Sequence, residues 1–172
     1  MTTPRELQPF LSGFAFVDRS IDLATDNLTE GDALHRLRNG EGPSILWTLG
    51  HLYEYRGRVL ASLDVKVEGT YWEMFCKTPA SDGAGYPTLE EMKQMWVIRA
   101  TALQEALASI GPDALIDGEG EQTPLYKGLV FHNFHEASHM GTTNLIRKEL
   151  GHRSAAEIVM ARMKAEAEAA EQ

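Results

Sequence analysis

Apolar residues recur every three or four positions at Leu7, Phe10, Leu11, Phe14, Val17, Ile21, Ala24 and Leu28, which predicts an amphipathic helix starting near Pro4. The pattern breaks in the loop from Arg38 to Gly42, and Pro43 and Ser44 open a second helix reaching about Ser62. Its Ile45, Leu49, Leu52, Arg56, Val59, Leu60 and Leu63 fall largely on one side. Thr88 followed by Glu91 has the form of a capping box and starts a third helix to about Ile110. Met92, Met95, Trp96, Arg99, Leu103, Leu107 and Ile110 are its stripe, and Gly111 with Pro112 stops it. A fourth helix runs from Pro124 to near Gly151, with Phe131, His135, His139, Thr142, Ile146 and Leu150 on a common face that reads as inward. Ser154 caps a final helix from Ala155 to about Ala170. Ile158, Val159, Arg162 and Met163 could dock it, and its Ala/Glu-rich end is expected to fray.

Two connections carry different signals. Asp64 to Pro87 is long and holds Tyr71, Trp72, Met74, Phe75 and Cys76, so it is expected to pack across the end of the helices. The sharper alternative is a wall of a functional site. Asp113 to Thr123 is acidic and contains glycine, and reads as a crossover or hairpin. Four long helices and a shorter terminal one predict an all-α fold: a four-helix bundle with a long second-to-third-helix connection and an additional C-terminal helix. With 172 residues and no internal repeat or linker, one domain over residues 1–172 is expected.

Sixteen basic against twenty-five acidic residues give a net charge of -9, which disfavours a phosphate-backbone interface, so no nucleic-acid partner is expected. A small basic pocket for an anionic substrate remains compatible with that surface. The single cysteine, Cys76, cannot form an internal disulfide, which fits a reducing compartment. No apolar run reaches the roughly 20 residues of a membrane span, and Met1 to Glu6 lacks the character of a signal peptide. A cytoplasmic protein without membrane contact is the expectation.

Three of the six histidines, His132, His135 and His139, fall within eight residues. On a helix His135 and His139 sit one turn apart on nearly the same face, so their imidazoles can converge on one ion. His132 lies seven residues from His139, a rise of about 10.5 Å, too far for a shared metal with nitrogen ligands at about 2.1 Å. It is instead expected to line the pocket, support the ligands or pack as an ordinary core histidine. A third ligand must come from elsewhere, and His51, preceded by Trp47, Thr48, Leu49 and Gly50, is the candidate. Taken alone, His51 favours a packed structural role, because it lies at the flank of its apolar stripe. His35 and His152 read as helix-terminal surface residues. His135 to His139 also spells H-E-x-x-H, in which a zinc peptidase would use Glu136 as general base. The downstream ligands of such enzymes are absent or poorly placed: Thr142 and Leu145 stand where one class needs glycine and histidine.

Pro43 to Leu52 and His135 to Gly141, in this order and at this separation, resemble the DinB/YfiT-like superfamily of metal-binding four-helix bundles. The resemblance covers most of the chain. It implies His51, His135 and His139 as the metal triad, and it raises His51 well above its reading in isolation. Where the family commonly follows this glycine with glutamine, Gly141 is followed by the shorter Thr142. Glu54, Tyr55, His132 and Thr142 are the candidates for supporting the ligands or lining the pocket.

Characterised relatives include metal-dependent S-transferases and isomerases that use low-molecular-weight thiols. The leading expectation is therefore a thiol-dependent S-transferase acting on a small electrophilic substrate through a divalent transition metal, zinc first, with nickel, iron or manganese as alternatives. The thiol would be a cosubstrate, and Cys76 a passive packing residue. The competing readings are a metal-dependent hydrolase, a non-catalytic metal- or ligand-binding stress protein, and a structural bundle with packed histidines. Glu54, Tyr55 and Glu136 are the candidate general bases. The resemblance and the apolar faces also imply a homodimer.

Overall fold

Local sequence signals set the ends of the helices in the computed structural model, which describes residues 4–115 and 124–170. A single 3-10 turn, Arg5–Leu7, leads into α1, Gln8–Thr25. Asn27, at φ 57°, breaks the chain direction, so Leu28 packs from beyond the helix rather than from within it. The second long helix, α2, is Ile45–Ser62, and the Ser44 hydroxyl accepts from the Trp47 N–H at 3.1 Å to cap it. α3, Leu89–Ser109, begins with the expected reciprocal box between Thr88 and Glu91. Pro124 precedes α4, Leu125–Glu149, and Gly151 at φ 82° ends it while the His152 N–H closes on the Arg147 carbonyl. α5, Ala155–Ala170, opens on a further reciprocal box, Ser154 with Glu157. Of the acidic connection expected at Asp113 to Thr123, Pro112–Leu115 forms a 3-10 turn and the remainder lies outside the described residues.

There is no β-strand among the described residues, and the fold is all-α. α1 packs against α3 and α4, and α2 packs against the same two, so the four long helices close a ring around their apolar stripes. One core cluster, with Ile21, Leu49, Leu52, Phe75, Met92, Trp96 and Met140, fills the end nearer the histidines. A second, with Leu7, Phe14, Leu60, Leu103, Leu107 and Leu129, fills the other.

A buried arginine joins the helices at the centre. Arg56 of α2 has no solvent exposure, and its guanidinium lies between the rings of Phe14 and Trp96, 4.8 and 4.5 Å from their centroids. Its Nε and Nη2 donate to the two oxygens of Glu136 on α4, and Nη1 pairs with Asp18 of α1 at 2.9 Å. One side chain thus touches the other three helices of the ring.

That ion pair corrects the expected orientation of α4. The buried side chains are Leu129, Glu136, Met140, Thr143, Ile146 and Arg147, while Phe131 is 54% exposed and His135, His139 and Thr142 are half-buried. Seating Glu136 on Arg56 turns the histidines to the edge of the α2–α4 groove. The terminal helix departs from expectation too. Ile158 and Val159 pack on the core, whereas Arg162 and Met163 face solvent, and the helix spans the expected Ala155–Ala170.

Removing Glu136 leaves Arg56 paired with Asp18 alone and takes the acceptor from two buried guanidinium donors, so Glu136→Leu is expected to lower unfolding stability by about 2–4 kcal/mol. The double variant Arg56→Met, Glu136→Leu should recover part of that loss in urea titrations. A Glu136→Leu protein as stable as wild type would contradict a paired carboxylate at this position.

Candidate metal centre

His51 is oriented by residues on both sides of it. Gly50 lies under the ring of Phe75: a Cβ there would stand 2.5 Å from a ring carbon, so only glycine lets the ring rest on the α2 backbone. With Phe75 so placed, its carbonyl lies 2.8 Å from His51 Nδ1. A carbonyl only accepts, so Nδ1 carries the proton and Nε2 presents its lone pair. Trp47, one turn earlier, stacks on the imidazole with centroids 4.9 Å apart and planes 17° from parallel.

That lone pair points at α4. His51 Nε2 is 3.2 Å from His135 Nε2, which is in turn 3.2 Å from His139 Nε2, and the donor atoms of the three all lie within 4.8 Å of one another. Hydrogen bonding cannot satisfy this arrangement, because His135 Nε2 has either one proton or one lone pair to offer two neighbours. The 3.2 Å spacings are instead close to the edge of a tetrahedron with metal–nitrogen bonds of 2.0–2.1 Å, about 3.3–3.4 Å. Three imidazoles with a position left open form a donor set suited to zinc and similar borderline cations.

The remaining predicted residues divide. Tyr55 covers the site, its ring 4.4 Å from that of His135 and 4.8 Å from that of His51. His132 sits one turn below His135, with its ring 5.9 Å from Tyr55 and a buried Nδ1 that has no hydrogen-bond partner among the described residues. Both line a cavity of about 750 Å³ that runs between α2 and α4, bounded also by Arg58, Ser62, Asp64, Leu125 and Phe131. Thr142 is half-buried and makes no side-chain hydrogen bond among the described residues. Glu54, expected beside the ligands, turns away from them; its carboxylate accepts from Thr70 Oγ1 at 2.7 Å and the Tyr71 N–H at 3.1 Å. Glu136 is held by Arg56 in the core, which removes it as the general base that the H-E-x-x-H spelling calls for.

A family model of the DinB superfamily matches residues 16–143. The chain belongs to the DinB superfamily. Its fold is similar to that of a DinB-like protein from Bacillus cereus, with a TM-score of 0.66 over 90% of this chain and 97% of that one, at 18% identity. No curated protein matches the sequence.

In this DinB chain the connection after α2 does more than pack across the helix ends. Phe75 is fully buried and orients His51, Trp72 packs on Tyr55 with centroids 5.6 Å apart, and Cys76 Sγ lies 3.8 Å from His51 Nδ1. Burial pushes the Cys76 thiol up to about 12, which keeps it protonated and fits its passive role. The chain signals the free Phe75 carbonyl only indirectly. Pro79, four residues on, has no N–H to occupy that oxygen in a helical turn. His35 and His152 lie elsewhere, at 3.0 Å from Glu149 and 3.9 Å from Asp32.

Burial holds His132, His135 and His139 down at about 4 and lowers His51, so all four are neutral at pH 7. In the unfolded chain they would protonate near 6.5. The unfolded state therefore binds more protons below that value, and the stability contributed by neutral burial is full above about pH 6.5 and lost as the pH falls toward 4. Chelator-treated protein should show a urea midpoint that declines from pH 7 to pH 5, with a shallower decline in His132→Leu. Equal slopes for the two proteins would contradict the burial of a neutral imidazole at position 132.

Proposed function

We propose that the DinB bundle is a metal-dependent enzyme that transfers a small thiol to an electrophilic substrate. The observation that carries the reading is the convergence of three Nε2 atoms behind Tyr55, whose ring also lines, with His132, a neighbouring cavity of about 750 Å³ that would take a small molecule. A divalent cation held by His51, His135 and His139 would supply Lewis acidity, keeping a thiol sulfur as thiolate near neutral pH. Zinc is the first choice.

The chain's own side chains supply recognition. Tyr55 and Phe131 give the cavity an aromatic mouth next to the imidazoles, and Phe131 stacks on His135 with centroids 5.7 Å apart. His132 offers a neutral ring nitrogen toward the bound molecule. Arg58 is the only Lys or Arg in that lining, and its guanidinium rests 4.8 Å over the Trp72 ring with no carboxylate in salt-bridge range among the described residues. Seven residues along α2 from His51, a rise of about 10.5 Å, it suits a carboxylate at the far end of the thiol or its acceptor. The half-buried, protonated thiol of Cys76 has no part in the reaction, and sulfur comes from the cosubstrate.

Untagged protein should carry about one transition-metal ion per chain by elemental analysis, and His51→Ala, His135→Ala and His139→Ala should each lose it. Metal-replete protein should accelerate conjugation of glutathione to an activated alkene, measured by loss of free thiol. Arg58→Gln should raise the KM for glutathione about tenfold at little cost to kcat while leaving 2-mercaptoethanol unaffected, as expected for a charged hydrogen bond made equally in the ground and transition states. Hydrolysis that proceeds without thiol would replace this reading with a hydrolase.

A further inference from the structure

We infer that Glu54 is a positioning residue for His51, acting through the backbone of the Tyr71–Phe75 segment to fix which imidazole nitrogen faces His135 and His139. The inference rests on the metal-centre reading of these three histidines and adds how one of them is held.

The contacts form an unbroken line. Glu54 is buried on α2, three residues from His51, and its carboxylate is taken up by the connection rather than by the imidazole cluster. Its Oε1 accepts from the Tyr71 N–H at 3.1 Å and its Oε2 from Thr70 Oγ1 at 2.7 Å. Arg99 of α3 balances the charge, with Nη1 3.4 Å from Glu54 Oε1, and closes the clamp by donating Nη2 to the Gly69 carbonyl at 2.8 Å. Tyr71 in turn accepts from the Phe75 N–H at 3.0 Å. The Phe75 carbonyl then accepts from His51 Nδ1 at 2.8 Å. The N–H and C=O of Tyr71, and those of Phe75, belong to successive peptide groups, so the line acts by fixing the position of the backbone from Glu54 to the Phe75 carbonyl.

Two local features keep the line in register. Glu73–Lys77 is a single π-helical turn, and Pro79 withholds the N–H that would otherwise compete for the Phe75 carbonyl. Gly50 lets the Phe75 ring sit directly on α2, one residue before His51. A carboxylate this buried is costly to keep in a fold unless it is paired and hydrogen-bonded, and here Arg99 supplies the charge while Thr70 and Tyr71, leading into the segment that orients the imidazole, supply the donors.

Imidazole nitrogen-15 spectra and zinc titrations test this on four variants. In metal-free wild type, His51 should show the tautomer protonated at Nδ1. Glu54→Leu should mix the tautomers and weaken zinc binding by about 10- to 100-fold, the usual effect of losing a partner behind a metal ligand. Glu54→Gln keeps an oxygen for the Tyr71 N–H and should retain the wild-type tautomer and most of the affinity. Gly50→Ala, which displaces Phe75 without touching Glu54, should behave like Glu54→Leu and replaces it should that variant not fold. Leu107→Ala, in the core cluster at the far end, controls for general destabilisation and should leave both readouts unchanged. A pure Nδ1–H tautomer in Gly50→Ala and in any folded Glu54→Leu, with zinc affinity within twofold of Leu107→Ala, would overturn the inference. Wild-type protein that binds no zinc sinks the metal-centre reading instead, while the tautomer comparison still decides the role of Glu54.

Discussion

Arg56 is the constraint on which the arrangement of the helices depends. A guanidinium without solvent exposure must have its charge balanced and its donors occupied. Glu136 and Asp18 do this from α4 and α1, while Phe14 and Trp96 cover the faces of the guanidinium plane. The demand is directional in a way that apolar packing is not. Glu136 can meet it at only one rotation of α4, and that rotation leaves the neighbouring His135 and, one turn on, His139 at the groove facing α2. The ion pair therefore bears on the site without entering it. It sets the side of the helix on which two of the three imidazoles emerge.

The third imidazole is placed by a different kind of structure. α2 brings His51 to the groove, but the ring can present either nitrogen, and helix geometry does not choose between them. The choice comes from the carbonyl of Phe75 in the connection between α2 and α3, which is itself anchored through Tyr71 and Thr70 to Glu54. Rigid helices and a tethered connection thus contribute separately to one cluster. The cavity beyond it has Tyr55 and His132 at its near end and Arg58 along its wall, and it meets the cluster through Tyr55 and His132, with none of the three imidazoles in its lining.

Much of this was legible along the chain. The four long helices, the caps at Ser44, Thr88 and Ser154, and the stops at Gly111 and Gly151 are short-range signals, and they act where the residues stand. The pairing of His135 with His139 is also local, being a consequence of the helical repeat. His51 was different. Its residues alone favoured a packed role, and only the likeness of two separated segments to a family brought it to the other pair. Glu54 and Glu136 show the limit of reading side chains by type. Both are acids close in sequence to a candidate ligand, yet both are committed to buried arginines, and neither commitment can be seen without knowing which helices adjoin.

Sequence by itself determined the long helices, most of their ends and the helical spacing of His135 and His139, because backbone hydrogen bonding and side-chain periodicity act over a few residues. Tertiary structure decided the rotation of α4, the tautomer of His51 and the second role of the Asp64–Pro87 connection. Each of these depends on a charge or hydrogen bond satisfied by a residue distant in the chain: Glu136 on Arg56, His51 on Phe75, and Tyr71 on Glu54. No local propensity encodes a partner 80, 24 or 17 residues away, and the energy of an unpaired buried group enforces that partner only once the helices have met.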